Sequence, residues 1–394
     1  MKESLFNYRF EYENQKYIFN TNNNGLIQIN NDIFTEEERE YLRVNRFWVD
    51  DNEDEIALLE REINHNIQKR QKELELTIAL TNYCNFSCVY CYQNKNEKLM
   101  TTEVANMIIE KIDRILNDNI FEGINIHYFG GEPLLNIPVL IYLDENIKKI
   151  TDKIGIVYKA FLTTNGSMLS KELLQKVKFS SIQLTFDGLE KTHDRLRVSD
   201  HFHFKEEIEL IENIMNFSQA KVLLRTNICK ENKDEIIALH KYIFEKFGNE
   251  RIEINPNRTI KYHQDDSFEM LSVQEYAEVA YQIKLLWSEQ KGKFELPVPR
   301  STPCKFPYGN AYAISPEGYC TYYSGSMDQE KKYFFDVDIE NKKMFSVRKE
   351  CKKCNILPLC LGGCIIQYNL RAGACTYEKY ELKNILISYI KHIS

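Results

Sequence analysis

Hydrophobic and polar residues alternate along the chain with changing periods, and the first zone they define runs to about residue 73. Alternation of apolar and polar residues predicts half-buried strands at Tyr8–Tyr12, Tyr17–Phe19 and Leu26–Ile29. The spacing of Thr35 and Glu38 predicts a capping box that opens a helix. A longer helix that ends near residue 73 is predicted by four apolar residues on one face: Ile56, Leu59, Ile63 and Ile67. The zone is therefore expected to be a small α+β domain.

The second zone, residues 74–295, alternates strand and helix patterns. The predicted strands are Leu74–Thr81, Ile124–Phe129, Ile154–Thr163, Ser181–Phe186, Lys221–Ile228 and Arg251–Asn255. The predicted helices between them include Glu103–Leu116, Lys171–Val177, Phe204–Phe217 and Lys233–Phe247. Six consecutive β/α units predict an α/β fold with a parallel sheet and right-handed crossovers, either an open barrel or a doubly wound sheet. Folds of this kind place their chemistry at the carboxyl ends of the strands.

The third zone, residues 300–394, is predicted to be loop-rich, and it holds seven of the eleven cysteines. Hydrophobic residues make up 43% of the chain and charged residues 28%, as in folded globular proteins. The net charge of −7 argues against binding of nucleic acid by a basic face. No apolar stretch approaches the roughly 18 residues of a membrane span, and the acidic start is not a signal peptide. We therefore expect a cytoplasmic protein without a membrane or nucleic-acid partner, in which clustered cysteines indicate metal rather than disulfides.

The first cysteine group follows the first predicted strand of the second zone directly. Cys84, Cys88 and Cys91 have the spacing C-x3-C-x2-C, so three thiolates can converge on one metal centre from a single loop. A structural zinc site needs four ligands, and no fourth cysteine or histidine lies nearby. A four-iron cluster held by three cysteines instead keeps one iron open for a ligand that is not protein. The group therefore indicates an iron–sulfur cluster with an open coordination position.

This group resembles the cluster-binding motif of the radical S-adenosylmethionine (SAM) superfamily, in which Tyr90 also fits the aromatic position before the third cysteine. The resemblance implies that SAM chelates the open iron through its amino and carboxylate groups. It implies further that the reduced cluster cleaves SAM, and that the resulting 5′-deoxyadenosyl radical abstracts hydrogen from the substrate. A flavodoxin- or ferredoxin-type protein is the expected electron donor.

Further motifs of the family follow the other predicted strands. Gly130-Gly131-Glu132-Pro133 resembles the motif whose backbone meets the SAM amino group, and its glycines allow close approach of the backbone. Thr185 and Arg197 resemble the residues that hold the SAM carboxylate, the alternative being that Arg197 is a surface helix residue. By resemblance, the cofactor-binding residues are Tyr90, Gly130, Gly131, Glu132, Thr164, Asn165, Thr185, Arg197 and Asn227.

The second cysteine group resembles the SPASM extension of radical SAM enzymes, which carries two auxiliary four-iron clusters and brings the expected total to three. The resemblance assigns one auxiliary cluster to Cys351, Cys354, Cys360 and Cys375. It assigns the other to Cys304, Cys320 and Cys364. The motif around Cys320 is shortened, and Tyr323 stands where the family has its cysteine, but a thiolate binds iron better than a phenol does. Cys229 is expected to be a small buried residue rather than a ligand.

SPASM enzymes mostly modify peptides or proteins, and three interpretations compete. The first is a maturase that forms a thioether in a ribosomally made precursor peptide, with residues 1–73 as an element that binds the leader of that peptide. The second is an anaerobic sulfatase-maturing enzyme, although Thr321 follows Cys320 where that family has an aspartate. The third is a non-catalytic iron–sulfur carrier, which would not need Arg197. Residues 1–73 could equally be a cap on the barrel.

Overall fold

A computed structural model describes residues 1–29, 34–93, 95–118, 121–248, 251–262, 267–321, 332–337, 344–364 and 375–393. The chain divides into two compact units. The first unit comprises Met1–Gln68, Ser272–Cys304 and Met344–Ser394. The second unit comprises Lys69–Leu271 and Lys305–Lys343. The zone boundaries that we drew from the sequence remain predictions.

The secondary structure is defined here in chain order. The described strands are β1 Lys2–Glu3, β2 Asn7–Tyr12, β3 Gln15–Asn20, β4 Gly25–Ile29, β5 Trp48–Val49, β6 Glu73–Ala79, β7 Gly123–Phe129, β8 Val157–Thr163, β9 Phe179–Thr185, β10 Lys221–Ile228, β11 Ile252–Arg258, β12 Ala311–Ile314, β13 Tyr319–Thr321 and β14 Lys332–Tyr333. The described helices are α1 Glu36–Val44, α2 Glu55–Arg70, α3 Thr102–Asp118, α4 Ile137–Ile154, α5 Lys171–Lys176, α6 Glu190–Leu196, α7 Phe204–Phe217, α8 Ile236–Phe247, α9 Val273–Lys291, α10 Lys305–Tyr308, α11 Leu357–Cys360 and α12 Glu378–Ile393.

The second unit is built on one sheet with the order β11-β10-β9-β8-β7-β6-β12-β13-β14. The strands from β6 to β11 pair in parallel and follow chain order without a reversal. A doubly wound sheet reverses its strand order at a switch point, so the observed order identifies the open, partial barrel. This outcome confirms the predicted α/β fold. The sheet also contains a strand that was not anticipated from the sequence, β12, which pairs in parallel with β6.

The two faces of this sheet differ in chemistry because successive side chains of a strand point to opposite faces. On the outer face, apolar side chains such as Leu76, Ile126 and Leu224 are at most 1% exposed. The amphipathic helices α3 and α4 bury their own apolar stripes in the same unit, including Ile112 and Leu143. Each such side chain contributes about 1.5–3 kcal/mol through burial. The side chains of the inner face come from the intervening positions of the same strands, and some of them are polar.

Several predicted boundaries were wrong by a few residues. The third predicted strand begins at Val157, because Ile154 still belongs to α4 and Gly155 ends that helix in a left-handed conformation with φ 83°. The helix predicted to end near residue 73 ends at Arg70, and residue 73 already lies in β6. The helix predicted from Lys233 begins at Ile236. The helix α12 was not predicted and lies in the zone expected to be loop-rich.

The first unit contains the three-stranded antiparallel sheet β2-β3-β4 that the sequence predicted. The capping box of Thr35 and Glu38 opens α1 as expected. One apolar cluster joins this sheet to the cysteine-bearing segment near α11 and to α12; it consists of Phe10, Tyr17, Phe19, Ile356, Leu359, Leu382, Leu386 and Ile390. The amino-terminal sheet and the second cysteine group therefore share one core. None of the described helices is long and apolar enough to span a membrane.

Candidate functional site

The first cysteine group lies on the loop that follows β6, here called the cysteine loop (residues 80–99). Backbone bonds hold it against the end of α6: the amide of Ser87 donates to the carbonyl of Val198 (2.8 Å), and that of Val89 donates to Leu196 (3.0 Å). Burial raises the pKa of the Cys88 thiol to about 11; nearby Arg197 opposes this shift, and the neighbouring Cys91 and Cys84 add to it. The three thiols are thus close enough to interact electrostatically.

The glycines of the motif after β7 are required by close backbone contact with the cysteine loop. The amide of Gly131 donates to the carbonyl of Thr81 (2.8 Å), and that of Glu132 donates to the carbonyl of Tyr83 (2.9 Å). A Cβ atom at Gly130 would collide with the Thr81 carbonyl oxygen, and one at Gly131 with that of Tyr83. Gly130 also has φ 142°, which side chains rarely adopt. The motif therefore fixes the entry of the cysteine loop.

Glu132 is fully buried and connects the ends of β7 and β8. Its carboxylate accepts hydrogen bonds from the Thr164 hydroxyl (2.6 Å), the Asn165 amide (2.6 Å) and the Leu134 amide (3.0 Å). Burial raises the pKa of Glu132 to about 7, and the three hydrogen bonds oppose the shift. The side chain thus brings Thr164 and Asn165 beside the glycine motif, as the sequence predicted.

Asn165 reaches from the end of β8 to the cysteine loop. Its Nδ2 group donates to Asn85 Oδ1 (2.8 Å) and approaches the Cys84 sulfur at 3.8 Å. The Asn165 carbonyl oxygen Oδ1 accepts from the hydroxyl of Ser167, which in turn accepts from Asn85 Nδ2 (2.9 Å). A closed ring of hydrogen bonds therefore orients the amide against the first cysteine.

Asp187 joins three parts of the site, a role that the sequence analysis did not assign. Its buried carboxylate accepts from the Tyr90 hydroxyl and from the Asn227 amide (2.7 Å). Its backbone carbonyl accepts from Asn232 Nδ2 (2.7 Å). Asp187 lies two residues after Thr185, the buried last residue of β9. Its place in the Thr185-Phe186-Asp187-Gly188 pattern was the available sequence signal.

Arg197 is buried, with 6% exposure, so it does not lie on the surface of a helix. Its guanidinium lies 5.4 Å from the ring centroid of Phe86 in the cysteine loop. Burial opposes its charge, but Glu207, which is also buried, Cys88 and Asp187 are among the groups that raise its pKa. The Nε atom of Arg197 has no hydrogen-bond partner among the described residues. A buried cation with an unpaired donor is suited to bind an anionic group such as a carboxylate.

The arrangement of these side chains fits an iron–sulfur cluster and SAM, the two cofactors that the sequence implied. Thiolates from one loop are the usual ligands of an iron–sulfur cluster. Within the described part of the chain no three His, Cys, Asp or Glu side chains converge on a single metal ion. Cysteines that bind different irons of one cluster do not require such convergence. Beside the thiols lie the glycine backbone, the buried Arg197 and the Glu132–Asn165 pair, which are the groups expected to hold SAM.

The second cysteine group lies in the first unit, except for Cys320. Burial raises the pKa of Cys360 to about 11, and the neighbouring Cys354 contributes to the shift. Cys354 also lies close to Cys351, because its backbone amide donates to the Cys351 carbonyl at 3.0 Å. A Cβ atom at Gly363 would collide with the Thr376 side chain, which brings the residue after Cys375 beside this loop. The structure thus places Cys351, Cys354 and Cys360 near one another, and Thr376 beside the same loop.

The cysteines expected to form the other auxiliary site are distributed between the two units. Cys304 is exposed and Cys364 half-buried in the first unit, whereas Cys320 lies in β13 of the second. Burial raises the pKa of Cys320 to about 12. Tyr323, the alternative position for this ligand, lies outside the described residues. Cys229 is fully buried, as expected, and packs with Leu196 and Phe268.

Residues 78–243 match the model of the Radical SAM superfamily. The match begins in β6, includes the cysteine loop and ends in α8. The similarity to this superfamily thus extends over 166 of the 394 residues and includes the site described above, as the cysteine motif led us to expect.

The curated relatives are similar over part of their length. The radical SAM cyclopropyl synthase TigE of Paramaledivibacter caminithermalis is 26% identical over 220 residues, which cover 51% of this chain and 42% of TigE. The GTP 3′,8-cyclase of Helicobacter pylori is 31% identical over 186 residues, which cover 45% of this chain and 53% of the cyclase. The chain spans about half the length of these relatives.

Two solved structures share the fold over most of the chain. SuiB of Streptococcus suis bound to its precursor peptide SuiA has a TM-score of 0.55 and 16% identity, with coverage of 96% of this chain and 98% of SuiB. The enzyme anSMEcpe with bound AdoMet and the Cp18Cys peptide has a TM-score of 0.65 and 17% identity, with coverage of 82% and 100%. At these identities the likeness is one of fold.

Proposed function

We propose that this chain, whose radical SAM domain spans residues 78–243, modifies a ribosomally made precursor peptide by joining a cysteine sulfur to a carbon atom. The observation that carries the proposal is the likeness to SuiB, which extends over 96% of this chain and comes from a structure with a precursor peptide bound. Cytoplasmic localisation and a flavodoxin- or ferredoxin-type electron donor are part of the proposal.

Different residues of the candidate site would bind the cluster and the parts of SAM. Cys84, Cys88 and Cys91 would hold the SAM-binding cluster, and Arg197 with Thr185 would hold the SAM carboxylate. The remaining contacts would come from Tyr90, Gly130, Gly131, Glu132, Thr164, Asn165 and Asn227. When bound, the cofactors supply hydrogen-atom abstraction and one-electron transfer. The buried Arg197 Nε donor, unpaired among the described residues, supports a carboxylate at this position.

Thioether formation requires an electron acceptor, which the second cysteine group could provide. Joining a thiol to a carbon removes two hydrogens: one leaves carbon as an atom, and the other leaves sulfur as a proton while one electron must also depart. Two auxiliary clusters would take that electron. One would be held by Cys351, Cys354, Cys360 and Cys375, and the other by Cys304, Cys320 and Cys364.

Recognition of the peptide is assigned to the amino-terminal sheet. Within the described residues β2 and β4 each pair only with β3, so both present a strand edge to which an extended leader could be added. The shared core of Phe10, Tyr17 and Leu359 argues against testing this role by deletion, because removing the sheet would uncover the second cysteine group. Binding of a fluorescent leader peptide to the full-length protein is the better measurement.

The second candidate function is sulfatase maturation, that is, oxidation of a cysteine or serine to formylglycine. A specific observation favours it: the fold of the sulfatase maturase anSMEcpe is similar at a TM-score of 0.65. Against it, anSMEcpe covers 82% of this chain and SuiB covers 96%. The residue after Cys320 is Thr321 rather than the aspartate of that family.

Mass spectrometry of a treated peptide distinguishes the two functions. The anaerobically reconstituted protein is incubated with SAM, reductant and a candidate precursor peptide that contains cysteine. A thioether removes two hydrogens, blocks alkylation of the thiol and is absent from a Cys→Ser peptide. Formylglycine instead loses the sulfur and reacts with a hydrazide. Cleavage of SAM without any change in the peptide would contradict both functions.

A further inference from the structure

The inner face of the parallel sheet encloses a cavity of about 190 Å³. Its lining combines apolar side chains, among them Phe161 and Leu223, with polar ones: Glu75, Asn125, His127, Thr163, Ser181, Gln183 and Lys305. The inner face of a closed (β/α)8 barrel is usually filled by bulky aliphatic residues instead. The polar groups of this inner face need hydrogen-bond partners, which either water or a ligand can supply.

The charged groups at this cavity already form ion pairs with one another. The Glu75 carboxylate accepts a hydrogen bond from Lys305 Nζ at 2.5 Å and forms an ion pair with Arg70 at 3.1 Å. His127 pairs with the Thr163 hydroxyl at 2.7 Å. Burial, with a smaller contribution from Lys305, lowers the pKa of His127 to about 4, so the ring is neutral near pH 7. A cationic ligand would therefore meet no free carboxylate among these groups, and an anionic ligand would have to compete with Glu75 for Lys305 and Arg70.

Several neutral polar groups at the cavity lack a partner. Gln183 Oε1 accepts from Asn255 at 3.3 Å, but its Nε2 group has no partner in the described part of the chain. Asn125 donates to Glu73 at 2.9 Å, and its own carbonyl oxygen is unpaired among the same residues. The Ser181 hydroxyl also lines the cavity without a described partner. Donors and acceptors are thus both presented to the enclosed space.

We infer that this cavity binds a neutral hydrogen-bonding side chain, an amide or a hydroxyl, that belongs to the substrate peptide near the modified residue. The inference rests on the proposed function. An apolar side chain would displace water and leave Gln183 and Ser181 unpaired, whereas a side chain with a donor and an acceptor would replace the hydrogen bonds of that water. The volume equals that of about six water molecules and suits one side chain of the size of asparagine or threonine.

A small-molecule test needs no knowledge of the peptide. The probes are N-acetyl-asparagine methylamide and N-acetyl-leucine methylamide, whose side chains have nearly the same shape, measured by saturation-transfer NMR on the anaerobically reconstituted full-length protein. We expect binding of the asparagine probe only, with loss of the signal in Gln183→Met. The matched control is Leu184→Met, a buried change on the outer face of the same strand that should keep the signal. Equal binding of both probes, no binding of either, or an unchanged signal in Gln183→Met would overturn the inference.

A second test uses the precursor peptide. Each position that flanks the modified cysteine is replaced in turn by threonine and by valine, and kcat/KM is compared. We expect at least a tenfold preference for threonine at one position, reduced in Gln183→Met and kept in Leu184→Met. Peptide modification without any such preference would contradict this inference alone. Absence of modification, with asparagine-probe binding intact, would contradict the proposed function alone.

Discussion

The hydroxyl group of Tyr90 donates a hydrogen bond to the carboxylate of Asp187, which lies 97 residues further along the chain. The same carboxylate accepts from the amide of Asn227 at the end of β10. One buried carboxylate therefore fixes the cysteine loop relative to two neighbouring strand ends. Because it faces Arg197 as well, Asp187 also helps to keep a cation buried beside Cys88.

Replacing Asp187 with alanine should weaken SAM binding while retaining iron. A hydrogen bond to a charged group contributes about 1.5–3 kcal/mol, which corresponds to an increase of about 10- to 100-fold in the KM for SAM. Asp187→Asn, which keeps an acceptor, should recover part of the loss. Tyr83→Phe is the control, since only the backbone of Tyr83 contacts the glycine motif. Iron loss that parallels the loss of activity would show that Asp187 only supports the fold.

The two cysteine groups should contribute separately to the iron content. Three four-iron clusters give about twelve irons per chain, and the triple replacement of Cys84, Cys88 and Cys91 by alanine should remove about four of them. All SAM cleavage should disappear with these irons, measured as 5′-deoxyadenosine. Cys229→Ala should keep the full content because this residue is buried among apolar side chains. Residual 5′-deoxyadenosine in the triple variant would refute the assignment of the SAM cluster.

The iron content of two variants should show that Cys320, and not Tyr323, is a ligand of the auxiliary cluster. Cys320→Ala should remove about four irons and leave the visible and EPR signals of the SAM cluster in place. Tyr323→Phe, which removes only the phenolic oxygen, should retain the full iron content. The opposite pattern would place the ligand at Tyr323.

Adding one methyl group at Gly131 should disturb the cysteine loop. A Cβ atom there would collide with the Tyr83 carbonyl, and overpacking of this kind typically costs about 1–3 kcal/mol. We expect a lower melting temperature and slower SAM cleavage. Gly123→Ala is the matched control because its Cβ would lie 3.1 Å from the Val157 carbonyl, a contact that a small shift relieves. Equal effects of the two variants would argue that the glycine motif has no special relation to the cysteine loop.

Buried His240 should make the protein less stable in mild acid. Burial lowers the pKa of His240 to about 3, and its ring contacts the Thr226 hydroxyl at 3.2 Å. The unfolded chain binds a proton near pH 6.5 and the folded chain does not, so stability is present above that pH and falls as the pH decreases towards 3. Between pH 7 and pH 5 the loss is about 2 kcal/mol for this residue. Thermal unfolding of His240→Gln at both pH values should show a smaller difference than the wild type does, and an equal difference would contradict the expectation.

The strand ends at which the motifs lie could be predicted from the sequence because local patterns define them. The motifs at Gly130 and Thr164 follow strands that period-two alternation revealed, and parallel strands bring such ends together. The role of Asp187 was missed because its partners, Tyr90 and Asn227, are distant in sequence. The pairing of β12 with β6 was missed for the same reason. The four residues of β12 follow the last β/α unit, and their sequence does not indicate which strand they pair with.

That pairing has a consequence for electron transfer. Ile314 of β12 lies beside Ile78 of β6 and also beside Cys320 of β13, so a continuous ladder of peptide groups links the proposed auxiliary ligand Cys320 to the strand that enters the cysteine loop. Two strand spacings amount to about 10 Å. The width of the sheet, rather than the length of a loop, would then set the tunnelling path between two redox centres. That distance would be fixed by the backbone hydrogen bonds of three adjacent strands, β13, β12 and β6.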